Sequence, residues 1–261
     1  MPNLDPKRGR ELLIDCGGGA NLRHDVVAGA VTLGAAFTAM IWAKVASTAS
    51  VAAGTLYGSK AGGVGGNEWQ ISVLSSAGAL RFEAGAADAT SDTDGLILAD
   101  DVWHFIAGVF DAGEAADDDK GRIYLDGALV ATTSVGTWPA SLAAASADFG
   151  IGADSAAASP TNITARSAAL VRAALTPTQL QVAQSLLQGR DHSHFQRYMA
   201  SIGAPIEHHV QPSFVGRYSD PSSFVTACRD LSPNARLAVP SLVPAPSLLP
   251  KDKAHLVAGA T

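Results

Sequence analysis

Cysteine, glutamate and aromatic residues are scarce in this chain of 261 residues, and lysine and arginine form no long run. The two cysteines, Cys16 and Cys228, lie too far apart for the spacing of a zinc site or a small disulfide scaffold, so unreactive thiols are predicted. Lysine and arginine number 18 against 24 aspartates and glutamates, which gives a formal net charge of −6. Because nucleic-acid binding requires a basic patch, nucleic acid is excluded as a partner.

Long apolar runs are also missing. The first residues, "MPNLDPKRGRELLIDCGGG", contain no apolar segment of the kind found in a signal peptide. The longest apolar stretch, residues 31–45, is interrupted by Gly34 and Lys44 and is too short to span a bilayer. We therefore expect no membrane partner, and we expect the chain to fold in a reducing cytosol.

What the sequence does contain is a series of short apolar segments separated by turn residues. Residues 68–75 alternate, with Trp69, Ile71 and Val73 on one face and polar residues on the other, which predicts a strand with one wet face. Residues 103–110 are apolar on both parities, as expected of a central strand that is covered on both sides. Many such strands without intervening helices predict a β-sandwich.

A tight turn joins two of these strands. Asp126-Gly127 is the preferred pair for a two-residue type I′ hairpin. The strand that leads into this turn follows the acidic loop after Phe110. It is therefore predicted to lie beside the strand of residues 103–110 in one antiparallel sheet.

A helix is predicted after the strand-rich region. Thr176 is its N-cap, Pro177 takes the first helical position, Gln179 completes a capping box and Gly189 ends the helix. A second helix is predicted over residues 193–203.

The last fifth of the chain is rich in proline. Seven of the thirteen prolines occur from Pro212 onward, which predicts an extended segment that cannot supply regular ladder hydrogen bonds. A free linker would be poorer in leucine and valine. We therefore predict an arm that contacts an adjacent subunit through Leu237, Val239, Leu242, Val243, Leu248 and Leu249.

Five segments, taken in order, resemble the laminin-G-like or concanavalin A-like jelly-roll superfamily. The resemblance implies an all-β fold, namely an antiparallel jelly-roll β-sandwich with one or two C-terminal helices and an extended proline-rich arm. The predicted parts are an N-terminal extension with the first strand (1–30), the sandwich with its closing helix (31–190), a helical, His-rich connector (191–211) and the arm (212–261). The five segments are "FTAMIWAKV", "DDVWHFIAGVFD", "GRIYLDGALVA", "FGIGAD" and "VRAALTPTQLQ".

The superfamily includes glycan-binding modules, glycoside hydrolases, adhesion domains and phage virion domains, so the fold leaves the function open. Glycoside hydrolysis needs two carboxylates across the scissile bond. The five glutamates do not form the E-x-D-x-x-E signature of the superfamily's hydrolases, so no enzymatic activity is expected. The arm and the missing leader favour a structural phage virion protein, either a capsid decoration protein or a tail or fibre part, made in the host cytoplasm. The alternative is a carbohydrate-binding module.

The virion role implies protein partners, which are copies of this chain in a homo-oligomer such as a trimer, or a neighbouring virion protein. The alternative implies glycans as the partner. No cofactor is expected, with calcium as the one exception to consider.

Three groups of residues are candidate binding sites. The acidic loop could supply oxygen ligands to calcium, as the resemblance implies, or could simply be solvated; its residues are Asp111, Asp117, Asp118 and Asp119. His192 and His194 could share a strand face and bind a transition metal, although surface histidines explain the same pattern. Trp138, which precedes a proline in a loop, is predicted to be the exposed indole on which a sugar could stack.

Overall fold

The structure of the chain is a computed structural model with two β-sheets packed face to face. It describes residues 14–15, 22–24, 31–46, 54–59, 68–74, 79–85, 90–93, 101–144, 149–152, 163–189, 192–212, 228–230, 238–240, 246–248 and 256–258. The elements in chain order are β1 (Ile14–Asp15), β2 (Leu22–His24), β3 (Thr32–Gly34), β4 (Ala36–Val45), β5 (Gly54–Gly58), β6 (Trp69–Val73), β7 (Leu80–Ala84), β8 (Thr90–Thr93), β9 (Trp103–Asp111), α1 (Asp117–Lys120), β10 (Gly121–Leu125), β11 (Ala128–Leu129), β12 (Thr132–Val135), β13 (Leu142–Ala144), β14 (Phe149–Ile151), β15 (Ile163–Val171), α2 (Pro177–Gln188), α3 (His192–Ser201), β16 (Ile206–Pro212), β17 (Cys228–Asp230), β18 (Ala238–Pro240), β19 (Pro246–Leu248) and β20 (Leu256–Ala258).

The first sheet, called sheet A, has the order β11-β10-β9-β4-β15-β1-β20-β19, and β16 pairs with β15 and with β17. The second sheet, sheet B, has the order β12-β8-β7-β6-β5-β14-β2-β18, and β13 pairs separately with β3. The pairs are antiparallel apart from β1 with β20, which are parallel. The predicted all-β antiparallel sandwich of the concanavalin A-like jelly-roll type is confirmed.

The inner core lies between the two sheets. Trp69, Ile71 and Val73 point into it from β6, as their alternation predicts, and are at most 1% exposed. Phe37 contacts Trp69, Phe82 and Phe110, with ring centroids 5.8, 5.9 and 5.4 Å away. Aromatic side chains of both sheets therefore hold the sandwich together.

A second core lies on the outer face of sheet A, under the helices. Trp42 and Phe105 of the sheet pack here with Leu180 of α2 and Phe195 of α3. This second core explains why residues 103–110 are apolar on both parities, because β9 is covered by sheet B on one side and by helices on the other.

Strand β16 contributes to both cores, because successive side chains of a strand point to opposite faces. His208 points into the inner core, where its Nδ1 lies 2.6 Å from the hydroxyl oxygen of Tyr57 and its ring lies 4.7 Å from that of Phe149. His209 packs against Phe195 of α3, with ring centroids 4.7 Å apart. Both histidines are fully buried.

The predicted hairpin and helices are present. Asp126 and Gly127 have φ values of 51° and 82°, the two left-handed conformations that a type I′ turn requires, and β10 pairs with β11 across this turn. On its other side β10 pairs with β9, as predicted. Helix α2 begins with the reciprocal capping box of Thr176 and Gln179 and has Pro177 at its first position. Helix α3 occupies nearly the predicted range. Among the described residues, no helix has the length and apolar character needed to cross a membrane.

Candidate functional site

Two carboxylates of the acidic loop lie beside basic side chains. Asp117 accepts a hydrogen bond of 2.7 Å from Lys120, and a carboxylate oxygen of Asp111 lies 3.9 Å from Arg122. Over the described part of the chain, which includes this loop, no three His, Cys, Asp or Glu residues are grouped so as to hold a metal ion. Nearby basic side chains thus compensate part of the charge, and calcium binding by Asp111, Asp117, Asp118 and Asp119 stays a prediction.

The predicted histidine pair also fails. His192 and His194 lie on helix α3 and not on a strand. Since each residue of a helix turns by about 100°, two positions at this spacing lie on different sides of the helix and cannot share a face.

Trp138 is not exposed. Its side chain is only 3% accessible and lies 5.8 Å from Phe82 and 5.9 Å from Phe110, measured between ring centroids. The prediction that Trp138 is an exposed indole for sugar stacking is wrong, because its side chain is part of the inner core.

The described parts of the arm pair with strands of the same chain. Strand β17 pairs with β16, β18 with β2, and β20 with β1. These strands of the arm thus pair within the chain, and the predicted contact with an adjacent subunit stays a prediction. Of the predicted contact residues, Val239 and Leu248 lie in strands whose backbone alone is described, and the others lie outside the described residues: Leu237, Leu242, Val243 and Leu249.

The outer face of sheet B carries a layer of polar side chains. Strand register aligns them in two rows that run across the sheet. One row is Thr55, Ser72, Arg81, Asp92 and Thr133, and the other is Gly58, Gln70, Glu83, Thr90 and Val135. We call these two rows the polar face.

A side-chain network connects three strands in the polar face. Thr55 donates its hydroxyl to Oε1 of Gln70 at 3.0 Å, and Nε2 of Gln70 donates to Oε2 of Glu83. Gly58 permits this arrangement, because a Cβ there would lie 2.6 Å from the Cβ of Gln70. The amide of Gln70 is thus held by donors and acceptors on both neighbouring strands.

A bidentate ion pair lies beside this network. Nε and one terminal nitrogen of Arg81 each donate to one oxygen of Asp92 at 2.7 Å. The two side chains remain 32% and 24% exposed, so the pair can meet a ligand from solution. A planar amide, two carboxylates and a guanidinium are therefore held in fixed orientations on one surface.

Alternation in residues 68–75 predicts the wet side of β6, but sequence reasoning did not find the pairing of Arg81 with Asp92 or of Gln70 with Glu83. The partners are eleven and thirteen residues apart, and only the register of β6, β7 and β8 brings them together. A usable signal is the strict alternation of "LRFEA", which places Arg81 and Glu83 on the face opposite Phe82.

One family model matches the chain. It is described as the Concanavalin A-like lectin/glucanases superfamily and matches residues 17–181. No curated protein sequence matches the chain.

Solved structures with a similar fold include a Bacteroides ovatus protein proposed to bind carbohydrate, with 15% identity and a TM-score of 0.46 over 66% of this chain and 46% of that one. Another is a heptameric SAP-like pentraxin of Limulus polyphemus, with 13% identity and a TM-score of 0.44 over 67% and 76% of the two chains. A third is a Trypanosoma rangeli sialidase, with 18% identity and a TM-score of 0.42 over 60% and 23%. The chain spans less than half of the length of the Bacteroides protein, and identities this low say nothing about a shared ligand.

Proposed function

Since the chain belongs to the concanavalin A-like lectin/glucanases superfamily, we propose that it is a non-catalytic carbohydrate-binding domain whose glycan lies on the polar face of sheet B. The observation that carries the proposal is the fixed array of hydrogen-bonding groups around Gln70, Glu83, Arg81 and Asp92. Carbohydrate binding, which the sequence analysis gave as the alternative function, is therefore the function that we propose.

The chemistry of the polar face suits a sugar. Each hydroxyl group of a sugar can donate one hydrogen bond and accept others, so it is best bound by donors and acceptors placed side by side. Gln70 and Glu83 supply an amide beside a carboxylate, and Arg81 and Asp92 supply N–H donors beside carboxylate oxygens. Because these groups already hold one another, binding costs little side-chain entropy.

The same contacts argue against hydrolysis. A glycosidase needs one carboxyl group that keeps a proton for the leaving oxygen. Asp92 accepts from the guanidinium of Arg81 on both oxygens, and Glu83 accepts from the amide of Gln70, so both carboxyl groups are engaged as acceptors. We therefore assign both residues to binding.

The structural role predicted from the sequence, as a phage virion component that contacts neighbouring subunits, stays a prediction. Its test is the solution mass of a chain that lacks residues 212–261, compared with the full chain. A lower oligomeric state on truncation supports subunit contacts through the arm, and an unchanged mass contradicts them.

The carbohydrate proposal is tested on a panel of immobilised glycans. We expect the full chain to bind at least one glycan, and Glu83→Gln to weaken that binding about tenfold, since a hydrogen bond to a charged group contributes roughly 1.5–3 kcal/mol. The matched control is Glu114→Gln, which removes a carboxylate paired with Arg122 at 2.6 Å outside the polar face.

Three results would contradict the proposal. If the full chain binds no glycan on the panel, the function is wrong. If Glu83→Gln and Glu114→Gln bind equally well and unfold at the same temperature as the unchanged chain, the polar face is not the site. Release of reducing sugar from a bound glycan would contradict the non-catalytic assignment.

A further inference from the structure

On one side of the sandwich, the two sheets end in consecutive strands. Strand β11 is the outer strand of sheet A and β12 is the outer strand of sheet B, and only Val130 and Ala131 separate them along the chain. Over the described residues, β12 pairs with β8 and with no other strand, so one edge of its backbone faces away from the sheet. We call residues 128–135 the open side.

Most outer strands of the described sheets are protected against the addition of another strand. Such protection consists of prolines, charged side chains or very short strands. Pro240 lies in β18 at the far end of sheet B, and Pro246 lies in β19 at the far end of sheet A. Strand β17, which pairs with β16, contains Arg229 and Asp230, and β11 is only two residues long.

Strand β12 has none of these protections. It is four residues long, with the sequence Thr-Thr-Ser-Val. Residues 127–147, to which it belongs, include no lysine, arginine, aspartate or glutamate. Three of its four residues are β-branched, which favours the extended conformation that strand pairing needs. The outer edge of β12 can therefore accept another strand.

The open side also exposes apolar side chains. Leu129 is 60% exposed and Val135 is 57% exposed, which makes them the two most exposed large apolar side chains of the described residues. Val135 is the register partner of Thr90, so it lies at the border of the polar face. A strand that adds to β12 would pair with its backbone and cover the side chain of Val135 as well.

We propose that β12 pairs with the β12 of a second copy of this chain, in an antiparallel dimer with a two-fold axis. A two-fold interface is formed by the same patch of both subunits, and an antiparallel pair of identical strands satisfies this requirement. Residues opposite each other in such a pair lie on the same face of the sheet. Val135 therefore packs among uncharged side chains of the second copy.

Charge favours a second copy at this position. Each chain has a net charge of −6, so two copies repel each other when charged surfaces approach. Residues 127–147 form a stretch at which this repulsion is smallest. A basic or acidic foreign strand would find no residue of opposite charge in the same stretch.

The acidic helix α1 does not oppose the dimer. It contacts β12, and Ser91 donates to the carbonyl oxygen of Gly121, which directly follows α1. The hydroxyl oxygen of Ser91 also lies 3.1 Å from that of Ser134, so α1 ends beside the C-terminal half of β12. In an antiparallel pair these halves lie on opposite sides of the two-fold axis, which keeps the acidic helices of the two copies apart.

The test is sedimentation equilibrium of the full chain over roughly 1–200 µM, because association makes the mean mass depend on concentration. We expect the mass to rise from 26.6 kDa toward twice that value. We expect association to become at least about twofold tighter between roughly 20 and 300 mM salt, because salt screens the repulsion between the chains and the interface has no ion pair to lose.

Charged variants locate the interface. Val135→Lys and Val135→Glu each bring a charge beside the second copy, so each should weaken association at least about tenfold. The matched controls are Val102→Lys and Val102→Glu, which place the same charges at a valine that is 51% exposed and precedes β9 in the interior of sheet A. The controls should change the dissociation constant less than about threefold, since they alter only the net charge. All four substitutions are at exposed positions, so the unfolding temperature should stay close to that of the unchanged chain.

Three results overturn the proposal. If the full chain remains a monomer over the whole concentration range, the open side does not bind a second copy. If Val135→Lys and Val135→Glu associate as tightly as the unchanged chain, the contact lies elsewhere, for example in the arm. If association weakens steeply with salt, it depends on ion pairs that residues 127–147 cannot supply.

Discussion

Gly108 of β9 lies directly against the ring of Phe82 of sheet B, and its substitution tests the packing of the inner core. A Cβ added there would overlap the ring of Phe82 from sheet B, at 2.7 Å from Cε2 and 2.9 Å from Cγ, where an ordinary contact is 3.4–4 Å. Phe82 is fully buried and is held by Phe37 and Trp138, so its ring cannot simply turn aside. We predict that Gly108→Ala is destabilising for steric reasons.

The size of the effect follows from the overlap. Inserting a methyl group into a well-packed core costs about 1–3 kcal/mol, and the closeness of these contacts places Gly108→Ala in the upper half of that range. Phe82→Leu removes the ring atoms that collide and itself costs about 1–2 kcal/mol. In a chain that already carries Phe82→Leu, the added methyl group should cost much less, so the coupling energy of the pair should be at least about 1 kcal/mol.

Equilibrium unfolding in urea measures these free energies for the two single variants and the double variant. Gly113→Ala is the matched control, because its Cβ meets only a carboxylate oxygen of Asp111 at 3.2 Å in an exposed turn, so a change below about 0.5 kcal/mol is expected. Additive effects of Gly108→Ala and Phe82→Leu, within about 0.5 kcal/mol, would refute the reasoning.

Three further predictions concern stability. Thr38→Val should lower the free energy of unfolding by about 2–3 kcal/mol, measured in urea, because the buried hydroxyl donates to the carbonyl oxygen of Ala173 at 2.7 Å and accepts from the N–H of Leu175 at 3.0 Å. Thr176→Ala removes the capping box of α2 and should cost about 1 kcal/mol in the same assay; no loss would contradict the cap. Burial raises the pKa of Tyr124, with Arg122 opposing the shift and Glu114 adding to it, so the phenol ionises less readily in the folded state than in the unfolded chain. The free energy of unfolding should therefore be retained below about pH 10 and fall above it. Urea unfolding of Tyr124→Phe at about pH 9–11 should show a smaller fall over the same range.

The sandwich could be predicted from the sequence because its signals are local. The alternation of Trp69, Ile71 and Val73, the Asp126-Gly127 turn and the Thr176 cap each act within a few residues, and each is found as predicted. These signals report the period of a strand or the geometry of a turn, which nearest neighbours decide.

The candidate site could not be predicted in the same way, because its geometry is non-local. Trp138 stands in a loop before a proline, a position typical of an exposed residue, yet the gap above Gly121 accepts its indole and buries it. The pairing of Arg81 with Asp92 and that of Gln70 with Glu83 depend on the register of β6, β7 and β8. None of these contacts produces a periodic pattern in the sequence.

The reach of His208 to Tyr57 has a consequence for how the domain is made. The family match ends at residue 181, whereas the ring that completes the inner core beside Tyr57 and Phe149 comes from β16, well beyond that limit. In a polypeptide that ends at residue 181, the hydroxyl of Tyr57 and the ring of Phe149 would lose their contacts with His208. We therefore expect the environment of Tyr57 and Phe149 to be completed only after β16 has been synthesised.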